Sequence, residues 1–258
     1  HPRTLSARNA KRMPSDSKSA AGWIVDYIEQ FLPKENSRQL DYALITHYHD
    51  DHFGELDSLR PKATEGDFYL TGITEVGHFL PIKKMLDRGF SYPMDFTSET
   101  IQNQDRFKRD AYGMIPTLKN YWSFLEYQHE KIGLVHEKVI SGKKNQIGLV
   151  YEPQTYPDFS VQNVAVNGTV WTGAMSDTLA LLKPGEYPGE NPLSICLKIS
   201  YGNFDYFTGG DISGIDEYGG TDMNSVESQI APVIGPVDVA TLNHHGNRDS
   251  QNLDYVRT

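Results

Sequence analysis

The segment that most constrains this chain is a cluster of three histidines and two aspartates that follows a short apolar run. The apolar run covers residues 42–45, and the cluster reads His47-Tyr48-His49-Asp50-Asp51-His52. A short apolar run bounded by polar residues predicts a buried strand. Because side chains alternate along a strand, His47 and His49 are expected to point to one face while Tyr48 points to the other.

The residue types in this cluster predict a metal site. Asp51 and His52 are expected to come from a turn that opens a segment of helical character over 53–59. Two imidazoles from the strand end, with a carboxylate and an imidazole from the turn, can hold two metal ions side by side. Nitrogen and carboxylate oxygen ligands at this density suit zinc best, and Mn²⁺ or Fe²⁺ are the alternatives. Crowded polar groups without a cation are costly, which disfavours a plain solvated loop.

Length and charge limit the classes of fold and partner. With 258 residues the chain is long enough for one large α/β domain. Its net charge of -10 does not favour nucleic acid as a substrate, because nucleic-acid binding relies on positive surface. A small-molecule or surface-attached ester is the favoured substrate class, and the oligomeric state stays open.

No apolar run is as long as a membrane span, and no signal-peptide core is evident. The chain starts at His1, so the expectation is a soluble protein that is either cytoplasmic or exported with a removed signal. The single cysteine, Cys196, rules out an internal disulfide.

In the first half of the chain, periodicity predicts helices around the metal-site strand. Apolar residues from Trp23 to Leu32 repeat at helical spacing, with Ser17 or Ser19 as the cap and Pro33 at the end. A strand is predicted over 67–71, a helix over 75–88, an irregular aromatic stretch over 89–113 and a helix from about 114 to 130. Residues 75–135 are interpreted as an insertion near the active-site cleft, with aromatic residues that shape the pocket.

The second half predicts mostly strands. These cover 147–151, 160–166, 194–200, 204–208 and 237–242, with turns at Asn167-Gly168 and Gly202-Asn203. Asp211 follows Gly209-Gly210 at the end of one strand, and a short helix is predicted over 225–230. The last strand leads into His244-His245-Gly246.

The three motifs together resemble the metallo-β-lactamase-fold superfamily. The resemblance runs from about residue 20 to the end of the chain. It implies an α/β fold, a four-layer αββα sandwich, in one domain over 1–258. Strands of that fold are unaccounted for at both ends, so an incomplete sandwich is part of the expectation. The His-His-Gly step is similar to the branch that contains competence nuclease-like domains and bacterial phosphorylcholine esterases. Redox members carry a glutamate at the position of His49, which counts against a di-iron role.

The resemblance also implies a ligand set. It assigns His47 and His49 to one ion, Asp51, His52 and either His244 or His245 to the other, and Asp211 to a bridging position. The remaining histidine of the pair lies either near the substrate or behind the metal ligands, in contact with them. Many members supply a third histidine to the first ion, but no histidine occurs between His136 and His244. Asn167, Asn163 or water is the substitute ligand, and a one-metal enzyme stays an alternative.

The function that follows is a zinc-dependent hydrolase, with two ions, that uses a metal-bound hydroxide. Asp51, His244 and His245 are the catalytic candidates. A phosphodiesterase acting on a small or surface-attached phosphodiester is the first interpretation. A carbon-centred hydrolase (lactonase, thioesterase or β-lactamase-like) and a non-catalytic metal-binding domain are the alternatives. A basic groove at the site would instead favour a nuclease.

Overall fold

The computed structural model describes residues 13–33, 38–56, 59–89, 99–183, 185, 187–215 and 222–258. The helices are α1 (Ala20–Glu29), α2 (Asp50–Phe53), α3 (Ile73–Phe79), α4 (Glu99–Gln102), α5 (Asp105–Ile132), α6 (Val226–Ile234) and α7 (Leu253–Arg257). The strands are β1 (Leu40–Leu44), β2 (Ile82–Asp87), β3 (Val135–Lys138), β4 (Phe159–Val166), β5 (Thr169–Trp171), β6 (Thr178–Ala180), β7 (Cys196–Tyr201), β8 (Phe204–Thr208) and β9 (Val239–Ala240).

These elements form two compact units. Unit 1 comprises residues 1–86 and 109–137, and unit 2 comprises 87–108 and 138–258. Unit 1 contains a three-stranded sheet in the order β1-β2-β3, and unit 2 contains a six-stranded sheet in the order β6-β5-β4-β7-β8-β9. The α/β class expected from the sequence is therefore confirmed. None of the described helices combines the length and the apolar character that crossing a membrane requires.

The sheet of unit 1 delivers the histidine motif. Strand β1 runs parallel to β2, with Leu40 opposite Ile82 and Leu44 opposite Leu86. The pairing continues one residue further, because the Ile45 N–H donates to the Leu86 carbonyl. Helix α1 begins at the Ser19 cap predicted from the sequence, whose hydroxyl accepts from Gly22 N. The motif therefore starts from a strand end that is fixed by its neighbour.

Two glycines allow a close backbone approach directly after the motif. Gly54 ends α2, and Gly72 precedes α3 with φ +48°. A Cβ atom added to Gly72 would collide with the Phe53 carbonyl and with the Cα of Gly54. The two chain segments can therefore approach each other this closely only because Gly54 and Gly72 have no side chain.

We expect Gly72→Ala to destabilise the protein by at least about 1–3 kcal/mol, because backbone strain at positive φ is added to the collision with Phe53. The measurement is the free energy of unfolding in urea. Gly133→Ala is the matched control, since Gly133 also has positive φ but an added Cβ would meet no atom within 4 Å. Equal losses in the two variants would contradict the close approach.

Unit 2 is built on hairpins. Strand β4 pairs with β5 across the predicted turn at Asn167-Gly168, and β7 pairs with β8 across Gly202-Asn203. Strand β9 then adds to β8 in parallel. Helix α6 covers an apolar core that includes Val164, Phe207 and Ile230. The hairpin predicted at Gly202-Asn203, the turn predicted at Asn167-Gly168 and the predicted short helix are confirmed, although β9 is shorter than the predicted 237–242.

Several expected elements differ from the structure. The predicted helix over 75–88 is correct only as far as Phe79, because β2 begins at Ile82 after Pro81. Residues 67–71 form only an isolated bridge between Lys62 and Tyr69, and 147–151 form no strand. Helix α5 begins at Asp105 rather than at about 114.

The domain interpretation stays a prediction, and one structural fact bears on it. The segment 75–135 contains β2, which is the middle strand of the sheet in unit 1. The residues from 90 to 98, in the stretch predicted to be irregular, lie outside the described part of the chain.

Candidate metal centre

In unit 1, the histidine cluster comprises His47, His49, Asp51 and His52. The first two residues follow the end of β1, and the last two lie in α2, for which His49 is the N-terminal cap residue. His47 is completely buried, and His49 is half-buried. The strand end and the helix start therefore bring into one small volume the residues that the sequence grouped together.

The geometry of His47 and His49 fits a shared cation. Nε2 of His47 lies 3.1 Å from Nδ1 of His49. Two imidazole nitrogens bound to one tetrahedral zinc at about 2.0–2.1 Å are separated by about 3.3 Å. The two nitrogens thus face each other at nearly the spacing of ligand atoms on one ion, and the residues fit the metal that the motif implies.

His52 is held against the same group. Its ring centroid lies 4.0 Å from that of His47, with an interplanar angle of 48°. The hydroxyl oxygen of Thr46 lies 3.3 Å from Nδ1 of His47 and 3.2 Å from Nδ1 of His52. Thr46 was not among the candidate residues, although its place directly before His47 was a signal in the sequence.

In unit 2, the aspartate–histidine cluster comprises Asp211, His244 and His245. Asp211 is buried after β8, and its N–H donates to the Ser194 hydroxyl at 3.1 Å. Oδ2 of Asp211 lies 3.4 Å from Nε2 of His245. The His244 N–H donates to the Gly210 carbonyl, which ties the histidine loop to the Gly-Gly-Asp step. His47, His49, Asp51, His52, Asp211 and His245 all belong to groups of side chains that could hold a metal ion.

The two adjacent histidines have different surroundings. Nδ1 of His244 lies 2.7 Å from Oδ1 of Asp249, and its Nε2 lies 3.2 Å from Nδ2 of Asn191. Both ring nitrogens of His244 are therefore engaged by protein groups, while Nε2 of His245 faces Asp211. These contacts favour His245 as the ligand of the pair. Asn191 and Asp249 were not predicted, because nothing in the sequence connects them to His244.

A buried carboxylate holds the histidine loop. Glu227 of α6 is fully buried, and its Oε1 accepts from Nδ2 of Asn243 at 2.7 Å and from the Gln251 N–H at 2.9 Å. Its Oε2 accepts from the Asn252 N–H at 2.7 Å. His244 and His245 lie between these anchors, and both have positive φ, 47° and 55°. The anchors hold a left-handed backbone that few residues other than glycine adopt.

The asparagines proposed as substitute ligands have protein partners. Nδ2 of Asn167 donates to the Arg88 carbonyl at 2.6 Å, and its Oδ1 accepts from Nη1 of Arg88 at 3.3 Å. Nδ2 of Asn163 donates to the Ile140 carbonyl and to Oε1 of Gln146. These contacts favour structural roles for both side chains, and a ligand role for either stays a prediction.

Asn167 belongs to a buried ion pair within unit 2. The guanidinium of Arg88 donates from Nη2 to Oε1 of Glu190 at 2.6 Å and from Nε to Oε2 at 3.0 Å. Both side chains are completely buried. The Tyr187 hydroxyl donates to Oε1 of Glu190 at 3.1 Å. Glu190 directly precedes Asn191, so this ion pair also fixes the residue that contacts His244.

A cavity of about 620 Å³ lies beside the histidine cluster within unit 1. His49 and Asp50 line it together with Glu55, Arg109 and Asp110. Its volume is within the range of small-molecule sites. Two aromatic residues, Tyr48 and Tyr112, line this cavity. Tyr112 lies in the segment 75–135, whose aromatic residues were expected to shape the pocket.

Cys196 is not a candidate for the chemistry. It is fully buried in the core of unit 2, and burial raises the pKa of its thiol well above the ordinary value. A thiol with such a pKa stays protonated and is a poor nucleophile.

Comparison with protein families gives one match. Residues 21–94 match the family model of the metallo-beta-lactamase superfamily. The matched segment includes the histidine cluster. The resemblance seen in the sequence is therefore confirmed for this segment, and the two sheets with their helices are consistent with that fold. Because most proteins of this superfamily are hydrolases, the match supports a metallo-hydrolase in general. No curated protein matches the chain.

Proposed function

We propose that this protein is a metal-dependent hydrolase that cleaves a small or surface-attached phosphodiester. The observation that carries the proposal is the 3.1 Å separation between Nε2 of the buried His47 and Nδ1 of His49. A buried pair of facing imidazole nitrogens needs a shared proton or a cation between them, and the neighbouring Asp51 and His52 offer more ligands of the same kind.

The ligand set expected from the sequence would hold the metal in this proposal. His47 and His49 would be ligands of one ion, Asp51, His52 and His245 would be ligands of a second, and Asp211 is assigned to both. Zinc is the expected metal, because nitrogen ligands predominate. Divalent ions in such a site lower the pKa of a water molecule and neutralise negative charge on the oxygens of the substrate.

Two side chains have further roles in the proposed reaction. Asp51 orients the attacking water through its carboxylate. His244, whose Nδ1 is held by Asp249, is assigned to the anion that develops on the substrate. Asp249 fixes the ring of His244 through Nδ1, and Nε2 is the nitrogen that would bind the substrate in exchange for its 3.2 Å contact with Nδ2 of Asn191.

The choice of a small phosphodiester rests on three further points. The His-His-Gly step is similar to a branch of the superfamily whose members include phosphodiester-cleaving proteins. The net charge of -10 favours a small ester over a long polyanion. The cavity beside His49 has the volume for a small substrate group.

The test is a substrate panel on protein reconstituted with zinc or with manganese. We expect bis(p-nitrophenyl) phosphate to be cleaved in a metal-dependent way, with activity lost on chelation and restored by the metal. Nitrocefin, a lactone and a thioester are measured beside it. His136→Ala is the matched control for removal of a histidine, because His136 is an exposed residue on β3 outside both clusters.

Each outcome of the panel has a defined meaning. Cleavage of the diester by wild type and by His136→Ala supports the proposal. Turnover of the lactone, lactam or thioester alone overturns the phosphodiesterase assignment in favour of a carbon-centred hydrolase. Bound metal without any turnover overturns catalysis and leaves a metal-binding domain.

A further inference from the structure

Thr46 places one hydroxyl between two histidines of the motif. Its Oγ1 lies 3.3 Å from Nδ1 of His47 and 3.2 Å from Nδ1 of His52. Thr46 follows the last backbone hydrogen bond between the β1 segment and β2, which is donated by Ile45 N. The sheet therefore fixes the backbone immediately before the hydroxyl.

We infer that Thr46 is a positioning residue that sets the tautomers of His47 and His52 at the same time. The inference rests on the proposed metal-binding function. In that function the two histidines serve different ions, so a single hydroxyl supports both metal positions. Thr46 itself binds neither ion in this inference.

Counting protons shows why the hydroxyl matters. A neutral imidazole has one N–H and one nitrogen with a lone pair, and a hydroxyl has one O–H and accepts at two positions. When Thr46 Oγ1 accepts from both Nδ1–H groups, both Nε2 atoms keep a lone pair for a metal. When Thr46 instead donates to one ring, the proton of that ring lies on Nε2, which then cannot bind a metal.

The placement of His47 supports the first arrangement. Its Nδ1 faces Thr46, whereas its Nε2 faces Nδ1 of His49 at 3.1 Å. Nε2 is therefore the nitrogen assigned to the ion, and this assignment requires the proton on Nδ1. A hydrogen-bond acceptor opposite the ligand nitrogen fixes a histidine in this tautomer and orients its ring.

Burial makes the contact hard to replace. His47 is completely inaccessible to solvent. In wild type, the Thr46 hydroxyl oxygen lies 3.3 Å from its Nδ1. Thr46→Val keeps the shape of the side chain and removes this acceptor, so the Nδ1–H tautomer loses its hydrogen bond.

The first measurement is metal retention. We expect Thr46→Val to lower the affinity for both ions by about 10- to 100-fold, as removal of a hydrogen-bond partner of a metal ligand does. Thr46→Ser is expected to stay close to wild type. The bound metal is counted by mass spectrometry after dialysis against a series of chelator concentrations. Thr117→Val is the matched control, because Thr117 is a buried threonine whose hydroxyl donates to Gly113 O.

The second measurement needs no metal and no substrate. Long-range ¹H–¹⁵N spectra of the metal-free protein report which ring nitrogen of each histidine carries the proton. Wild type and Thr46→Ser are expected to show His47 and His52 with the proton on Nδ1. Thr46→Val is expected to show a mixture of tautomers at both residues.

The outcomes separate this inference from the proposed function. Wild-type retention of both ions in Thr46→Val, loss of only one ion, or Nε2–H tautomers in wild type would overturn the role of Thr46. Turnover plays no part in either readout. A wild-type protein that binds metal and cleaves no ester would overturn the proposed function and leave the inference intact. The spectra of wild type alone show the tautomers of His47 and His52, so they test the inference even if Thr46→Val does not fold.

Discussion

His47→Ala is expected to abolish metal-dependent turnover and to leave the fold intact. The substitution removes the buried nitrogen that faces His49 at 3.1 Å, so the remaining imidazole no longer has a partner ligand on the same side. The loss should far exceed the effect of Thr46→Val, because a ligand is removed rather than its hydrogen-bond partner. Activity on the diester and the number of bound ions are measured together, with circular dichroism as the check on folding.

Asp211→Ala tests a second member of the proposed ligand set. Asp211 is buried beside His245, and the proposal assigns it to both ions. We expect the same loss of turnover as for His47→Ala, whereas His136→Ala retains activity. Full activity in either variant, with metal content equal to that of wild type, would refute the ligand assignment.

Glu190→Ala is expected to lower the free energy of unfolding by about 3–5 kcal/mol. The substitution leaves the guanidinium of Arg88 buried without its carboxylate, and an uncompensated buried charge costs this amount. Urea unfolding followed by fluorescence measures the loss. Because a domain is stabilised by only about 5–15 kcal/mol, this loss removes a large part of the free energy of unfolding.

Two comparisons isolate the buried charge as the cause. The double variant Arg88→Met/Glu190→Leu removes both charges, and is expected to be much more stable than Glu190→Ala. Glu137→Ala breaks the partly exposed ion pair with Lys84, for which a change of about 0–1 kcal/mol is expected. Equal losses for Glu190→Ala and Glu137→Ala would show that burial of Arg88 is not the source of the effect.

The histidine cluster could be predicted because its residues are consecutive. A strand end followed by a turn places neighbouring side chains together, so residues 46–52 contain most of the information about their own arrangement. The same holds for the hairpins at Asn167-Gly168 and Gly202-Asn203, where the turn residues determine the pairing.

The helix predicted over 75–88 shows where local patterns fail. Ile82, Met85 and Leu86 are spaced by three and four residues, which is the pattern of a helix face. They lie in a strand because β2 pairs with β1 and is the middle strand of its sheet. Pairing with a distant strand overrode the local pattern, and the sequence contains no direct sign of that partner.

The contacts between residues far apart in the sequence could not be predicted for the same reason. Arg88 and Glu190 are 102 positions apart, and Asn191 is 53 positions from His244. Neither pair has a local pattern that distinguishes its members from surface residues. Charged residues are rarely buried, so Arg88 and Glu190 in particular have no sequence signal of burial.

The adjacency of Glu190 and Asn191 has an evolutionary consequence. One residue completes the buried ion pair with Arg88, and the next contacts the ring of His244. A substitution that shifts Glu190 therefore also displaces a contact of the candidate catalytic residue, so selection on folding and selection on chemistry act on the same dipeptide. Across descendants of this sequence, we expect positions 88 and 190 to covary, changing together or not at all.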